Sequence, residues 1–195
     1  MYEKSIIIAC LLIFLTFLSA CQNIPVNNQE KEPSIYDKIT NAPIAAEYIG
    51  KDKEAVLSKL GIKSDELSES KVKGLFYLSG NYASEYKSFS MYFLFDMSDK
   101  SDCLYGVGYE YITDYDNDNI LHIVQDLQNT LIDKYGEPST YEGLKNRITD
   151  IKSISDCKFG DIFKDTWDIS NKKFSQIILS MECTKEQVKI NILYK

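Results

Sequence analysis

The strongest constraint on this fold is an apolar alternation of period two that recurs along the chain. Val72, Gly74, Phe76 and Leu78 alternate with polar or mixed neighbours. Phe89, Met91, Phe93 and Phe95 alternate with Ser90, Tyr92, Leu94 and Asp96. Tyr105, Val107, Tyr109 and Tyr111 share a face opposite Gly106, Gly108 and Glu110. Residues 161–169 and 177–183 read as two more strands. In the last strand, Val188, Ile190, Ile192 and Tyr194 oppose Lys189, Asn191 and Lys195. This period belongs to half-buried antiparallel strands.

Helical periods separate the strands. Residues 35–47 hold a short helix interrupted at Pro43. Asp52 is placed to cap a helix over residues 53–60 that stops at Gly61, with Ala55, Val56 and Leu60 as its buried stripe. Asp118 or Asn119 caps a longer helix in which Ile120, Ile123, Val124, Leu127, Leu131 and Tyr135 recur at spacings of three and four, ended by Gly136 and Pro138. The order is helices, three strands, helix, three strands. It predicts a single α+β domain over residues 35–195: a curved antiparallel sheet of about six strands with helices packed on one face. The other face is left for water or a partner.

The first 21 residues obey neither period. Lys4 gives a charged start, residues 6–18 are almost unbroken apolar sequence, and Leu18-Ser19-Ala20-Cys21 follows. The apolar run is too short to cross a hydrocarbon core of about 30 Å, which needs roughly 20 residues. A core helix would be amphipathic, and this segment is apolar all round. A charged start, a short apolar run and small residues at its end fit a cleaved secretion signal over residues 1–20. The last four residues resemble the lipobox of bacterial lipoproteins. That resemblance implies diacylglycerol on the Cys21 sulfur, with a further acyl chain such as palmitate on its amino group. Two or more chains make a stable anchor. Residues 21–34, polar and with two prolines, then read as the lipidated cysteine and a flexible tether. The expected location is the extracytoplasmic side of a cell membrane, either a Gram-positive membrane or a Gram-negative envelope.

Within the domain, Ile49-Gly50-Lys51-Asp52-Lys53-Glu54-Ala55-Val56-Leu57 with Leu60-Gly61 precedes a strand pair passing through Phe95-Asp96 and residues 104–109. The second helix, with Lys134-Tyr135-Gly136-Glu137-Pro138 and then Trp167 on a strand, repeats the theme. These phrases resemble the SmpA/OmlA lipoproteins and the β-lactamase-inhibitor-protein-like fold. The resemblance implies helices against an antiparallel sheet and a role in binding other proteins, and it carries no site residues.

Charge and composition narrow the function further. The net charge is −7, with no basic cluster, which disfavours a nucleic-acid partner. Of five cysteines, Cys10 lies in the signal and Cys21 is the anchor. Cys103, Cys157 and Cys183 remain, so at most one bridge forms among them. Cys157 and Cys183 are the favoured pair if they flank a hairpin near residues 170–173. Three small buried thiols are the equal alternative. Asp114, Asp116 and Asp118 have a spacing that suits calcium, but the Gly and Glu of a calcium loop are replaced by Asn119 and Gln125, and helix capping explains the carboxylates as well. No resident cofactor is expected.

Ser-x-x-Lys recurs five times in a chain rich in both residues, without the companion motifs of penicillin-binding enzymes. His122 is the single histidine and sits beside a helical stripe. No catalytic residue is assigned. A cell-envelope hydrolase acting on wall or glycan is the alternative to a binding module, and a calcium or small-solute binder is a further one. Fourteen Tyr and nine Phe supply large apolar area. Tyr77 and Tyr92 lie opposite the apolar sets of their strands and are the candidates for an exposed, partner-binding aromatic surface.

Overall fold

The alternating segments assemble into one seven-stranded antiparallel sheet. A computed structural model of the chain describes residues 35–79, 89–97, 102–139, 147–170 and 174–195. The signal, Cys21, the tether and most of the turns at residues 96–102 and 170–173 lie outside the described residues. Strands β1 (Leu67–Glu69), β2 (Leu75–Leu78), β3 (Ser90–Asp96) and β4 (Cys103–Asp114) form one antiparallel run. Strands β5 (Ile162–Asp168), β6 (Gln176–Cys183) and β7 (Gln187–Tyr194) form a second. The runs join where β4 pairs with β7, so the spatial order is β1-β2-β3-β4-β7-β6-β5. Each run places its last strand in the middle of the sheet. The seventh strand is β1, three residues whose sequence carries no alternation.

One face of the sheet carries Phe76, Leu78, Met91, Phe93, Phe95, Val107 and Tyr109, continued by Ile177, Leu179, Met181, Val188, Ile190, Ile192 and Tyr194. These belong to one buried cluster that also contains the inward residues of the helices. Helix α1 (Ile35–Ile39) contributes Ile39, α2 (Lys53–Leu60) contributes Val56, and α3 (Ile120–Tyr135) contributes Ile120, Val124, Leu127 and Leu131. Helix α2 forms as its sequence requires. Asp52 accepts a hydrogen bond from the Ala55 amide at 2.8 Å, and Gly61 closes the helix in the left-handed region at φ 67°. Its buried positions are Val56 and Leu57, while Leu60 of the expected stripe packs against the core partly buried and Ala55 is also only partly buried.

Further expectations are corrected. The entry to α3 is not capped by the side chain of Asp118 or Asn119. Asn119 is the N-cap residue by position, and Asn117 braces it: the Asn117 Oδ1 accepts from the Asn119 amide at 3.0 Å, while its amide group donates to Tyr111 and Thr113. The strand predicted from Val72 starts only at Leu75. Gly74 has φ 83°, and a Cβ there would lie 2.3 Å from the Phe95 carbonyl, so the chain turns at this point and leaves Val72 exposed. Two more corrections, at Tyr92 and Tyr105, concern the opposite face of the sheet.

Polar groups pin the layers together. The Tyr194 hydroxyl donates to the Ile39 carbonyl at 3.0 Å, tying α1 to the central strand β7. The Trp167 indole donates to the Gly136 carbonyl at 2.7 Å, fixing the end of α3 on β5. Beneath α3, Asp165 accepts from Gln128 at 2.6 Å and from the Arg147 guanidinium at 2.9 Å. Asp165 is 1% exposed and Arg147 29%. This asymmetry sets a testable order of damage. Arg147→Met strands a buried carboxylate and is expected to cost about 3–5 kcal/mol. Asp165→Asn leaves a guanidinium that still reaches water, and is expected to cost about 1–3 kcal/mol. Urea unfolding of both variants checks the order.

Candidate functional site

The face away from the helices is built by the other half of each alternation. One row across it runs Ser68, Tyr77, Tyr92, Gly108, Leu193, Ile178 and Thr166. Tyr92 and Ile178 are buried, yet neither belongs to the core cluster on the helix side. Tyr92, expected as an exposed aromatic, is only 6% exposed. Its ring lies over Gly108, where a Cβ would come within 2.7 Å of the Tyr92 hydroxyl and 2.1 Å of the Ile192 carbonyl. The glycine gives the ring its seat. Tyr77 is half-buried, meets Tyr92 edge to face at 6.3 Å between centroids, and donates its hydroxyl to Glu110 at 2.7 Å. Both tyrosines therefore lie on the predicted face, but they form an internal lining of it, with Glu110 itself only 8% exposed.

Two described aromatic side chains are strongly exposed, Phe159 in the connection before β5 and, on the sheet itself, Tyr105. Leu94 pairs with Gly106, but Phe95 pairs with Leu104, so Tyr105 is an extra residue in β4. This bulge reverses the side-chain alternation at one end of the strand. Leu104 enters the core, and Tyr105, expected beside Val107, Tyr109 and Tyr111, turns outward with 49% of its surface exposed. It borders an open hollow of about 470 Å³ with Lys73, Phe95, Asp96 and Met97. The hollow thus offers an aromatic ring, a thioether, a cation and a carboxylate together. The signal for the bulge is present in the sequence: Gly106 and Gly108 inside a strand mark a bulge or a close approach.

A second hollow of about 380 Å³ lies on the helix side, between the 3-10 turn Ile44–Tyr48, the end of α2 and strands β3 and β4. Its lining includes Ile44, Leu60, Ile62, Met91 and Tyr109.

The remaining predicted residues do not form a site together. Asp114, Asp116 and Asp118 are exposed, and Asp114 accepts from Gln187 at 3.5 Å. Among the described residues, no three His, Cys, Asp or Glu side chains converge so as to hold a metal ion. His122 is exposed on α3. Cys157 and Cys183 are brought close together, whereas Cys103 opens β4 at the far end of that strand.

No family model matches this chain, and no curated protein or solved structure is significantly similar to it.

Two predictions follow the geometry of this face. Gly108→Ala drives a methyl into the Ile192 carbonyl and is expected to destabilise by about 3 kcal/mol. Gly106→Ala meets the movable ends of Leu193 and Leu94 and is expected to cost under about 1 kcal/mol, as read by urea unfolding. The second prediction concerns alkali. Burial, then the hydrogen bond and charge of Glu110, push the Tyr77 phenol far above its ordinary value. Burial is also the leading cause at Tyr92 and Tyr194. These phenols stay protonated in the fold but ionise near pH 10 in the unfolded chain. The unfolded state then binds fewer protons than the native state, so stability is complete below about pH 10 and declines above it. Urea midpoints measured between about pH 9 and 11 are expected to fall, and to fall less steeply for Tyr92→Phe.

Proposed function

We propose that this protein is a lipid-anchored extracytoplasmic binding module. In this reading the leader is cut before Cys21, and acyl chains on Cys21 hold the chain at the outer side of a cell membrane. The polar tether carries the α+β domain away from the surface, and the domain binds another envelope or extracellular protein. The observation that supports the binding role is Tyr105, turned out of the sheet by a bulge and bordered by Lys73, Asp96 and Met97. Tyrosine and methionine are enriched at protein interfaces, and an aromatic anchor flanked by both charges suits a polar, specific contact. The acidic chain is repelled by anionic lipid, which leaves membrane attachment to the acyl chains. The likeness of residues 45–110 to SmpA/OmlA and β-lactamase-inhibitor-protein-like domains adds support at the level of fold alone.

Two experiments test the reading. Mass spectrometry of the protein extracted from its own membranes is expected to find Cys21 as the amino-terminal residue, carrying diacylglycerol. An intact leader or an unmodified Cys21 contradicts the anchoring. Crosslinking and affinity capture from the same cells is expected to yield a discrete protein partner. Truncating an interface anchor of this kind costs about 2 kcal/mol, so Tyr105→Ala is expected to weaken that complex roughly 30-fold without lowering Tm. Equal capture by the variant contradicts the assigned surface.

A further inference from the structure

Residues 153–161 form a strap at one end of the sheet, between the long connection that leaves α3 and the start of β5. Ser153 caps the 3-10 turn Ile154–Asp156, and the Cys157 amide closes that turn on the Ile154 carbonyl at 3.1 Å. The Lys158 amide donates to the Asp161 carboxylate at 2.7 Å. The strap is then clamped to β6. The Gly160 amide donates to the Cys183 carbonyl at 2.8 Å, and the Cys183 amide donates to the Asp161 carbonyl at 2.9 Å. This pair of bonds sets Cys157, three residues before Gly160, beside the last residue of β6, with its side chain near that of Cys183. Tyr115, held by its hydroxyl on the Thr184 carbonyl at 2.6 Å, faces the Cys183 sulfur from the loop after β4. Cys183 is fully buried, and Cys157 is half-buried at the rim of the core.

We propose that Cys157 and Cys183 are a disulfide-forming pair that locks this strap onto β6 when the protein meets an external disulfide. The half-exposed Cys157 makes the first step. Its thiolate attacks one sulfur of the external disulfide, forms a mixed disulfide and releases one thiolate. The Cys183 thiolate then attacks the Cys157 sulfur, closing the internal bond and releasing the second thiolate. Two protein thiols and one disulfide give one protein disulfide and two small thiols, so electrons and protons balance. Burial holds the Cys183 thiol above its ordinary range, against the opposing hydrogen bonds from Cys157 and Tyr115.

Cys103 is excluded by geometry. Cys183 pairs with Val188, and Val188 pairs with Thr113 of β4. Cys103 begins that same strand, about 30 Å away at the usual rise per residue. No disulfide spans such a distance. The inference needs only an oxidising partner and is independent of the binding role proposed above.

The test uses the full chain, reduced and then incubated with glutathione disulfide. The reaction is quenched in denaturant with excess alkylating reagent and the protein is mapped by peptide mass spectrometry. The expected product is a peptide linked between Cys157 and Cys183, lighter by two hydrogen atoms, with Cys103 alkylated. The bond closes a long loop, so Tm is expected to rise by about 5–10 °C over the reduced protein. Cys157→Ser replaces a half-exposed side chain and is expected to melt like the reduced wild type, with no rise on oxidation. Alkylation of both Cys157 and Cys183 after oxidation overturns the proposal. So does a bridge to Cys103, or a Tm rise that persists in Cys157→Ser.

Discussion

The burial of one continuous apolar face, centred on the β4 and β7 pair, is the interaction on which the rest of this molecule depends. Strands that alternate Val188, Ile190, Ile192 and Tyr194 with Lys189 and Asn191 are stable only if the apolar set is covered. Helices α1, α2 and α3 supply that cover, and their inward residues belong to the same cluster as the strands. Tyr194 shows how tightly the layers are matched. Its ring is wholly buried, and its hydroxyl finds the one partner it needs in the carbonyl of Ile39. The arrangement places the last strand of each run at the centre and leaves β1 and β5 at the edges.

A consequence of covering one face is that the other must be managed separately. Here the chain does so with glycine. Gly108 gives room for Tyr92 to lie flat on β4, and Tyr77 and Glu110 complete that lining. At the end of β4, where one extra residue breaks the register, the ring of Tyr105 turns to solvent. The bulge thus links a sequence irregularity to local twist, to the exposure of Tyr105, and to the hollow beside it. At the opposite end of the same strand, the strap carrying Cys157 closes on β6.

Much of this was legible in the sequence, for identifiable reasons. Helix α2 was readable at both ends because Asp52 and Gly61 each have one strong local role. Helix α3 was readable because six apolar residues keep a helical period. The six alternating segments became six of the seven strands. What escaped was set by interactions distant in sequence. The three residues of β1 acquire strand form by pairing with β2. Asn119 is the N-cap of α3 but makes no side-chain capping bond; Asn117, its amide held by Tyr111 and Thr113, bonds the Asn119 amide instead. The ion pair of Arg147 with Asp165 joins residues whose local sequence gives no hint of each other. The outward turn of Tyr105 and the burial of Tyr92 both follow from cross-strand geometry, which period-two reading treats as uniform. The contact of Cys157 with Cys183 was accessible to reasoning because it required only that β5 and β6 form a hairpin.

Native-state hydrogen exchange tests the central claim most directly. If one shared core holds the sheet and its helices together, the amides of β4, β6, β7 and α3 should exchange only through global unfolding, with one common dependence on denaturant, while β1 exchanges faster. Separate openings for α3 and for the central strands, at different denaturant concentrations, would contradict a single core and with it the account of how both faces of the sheet are set.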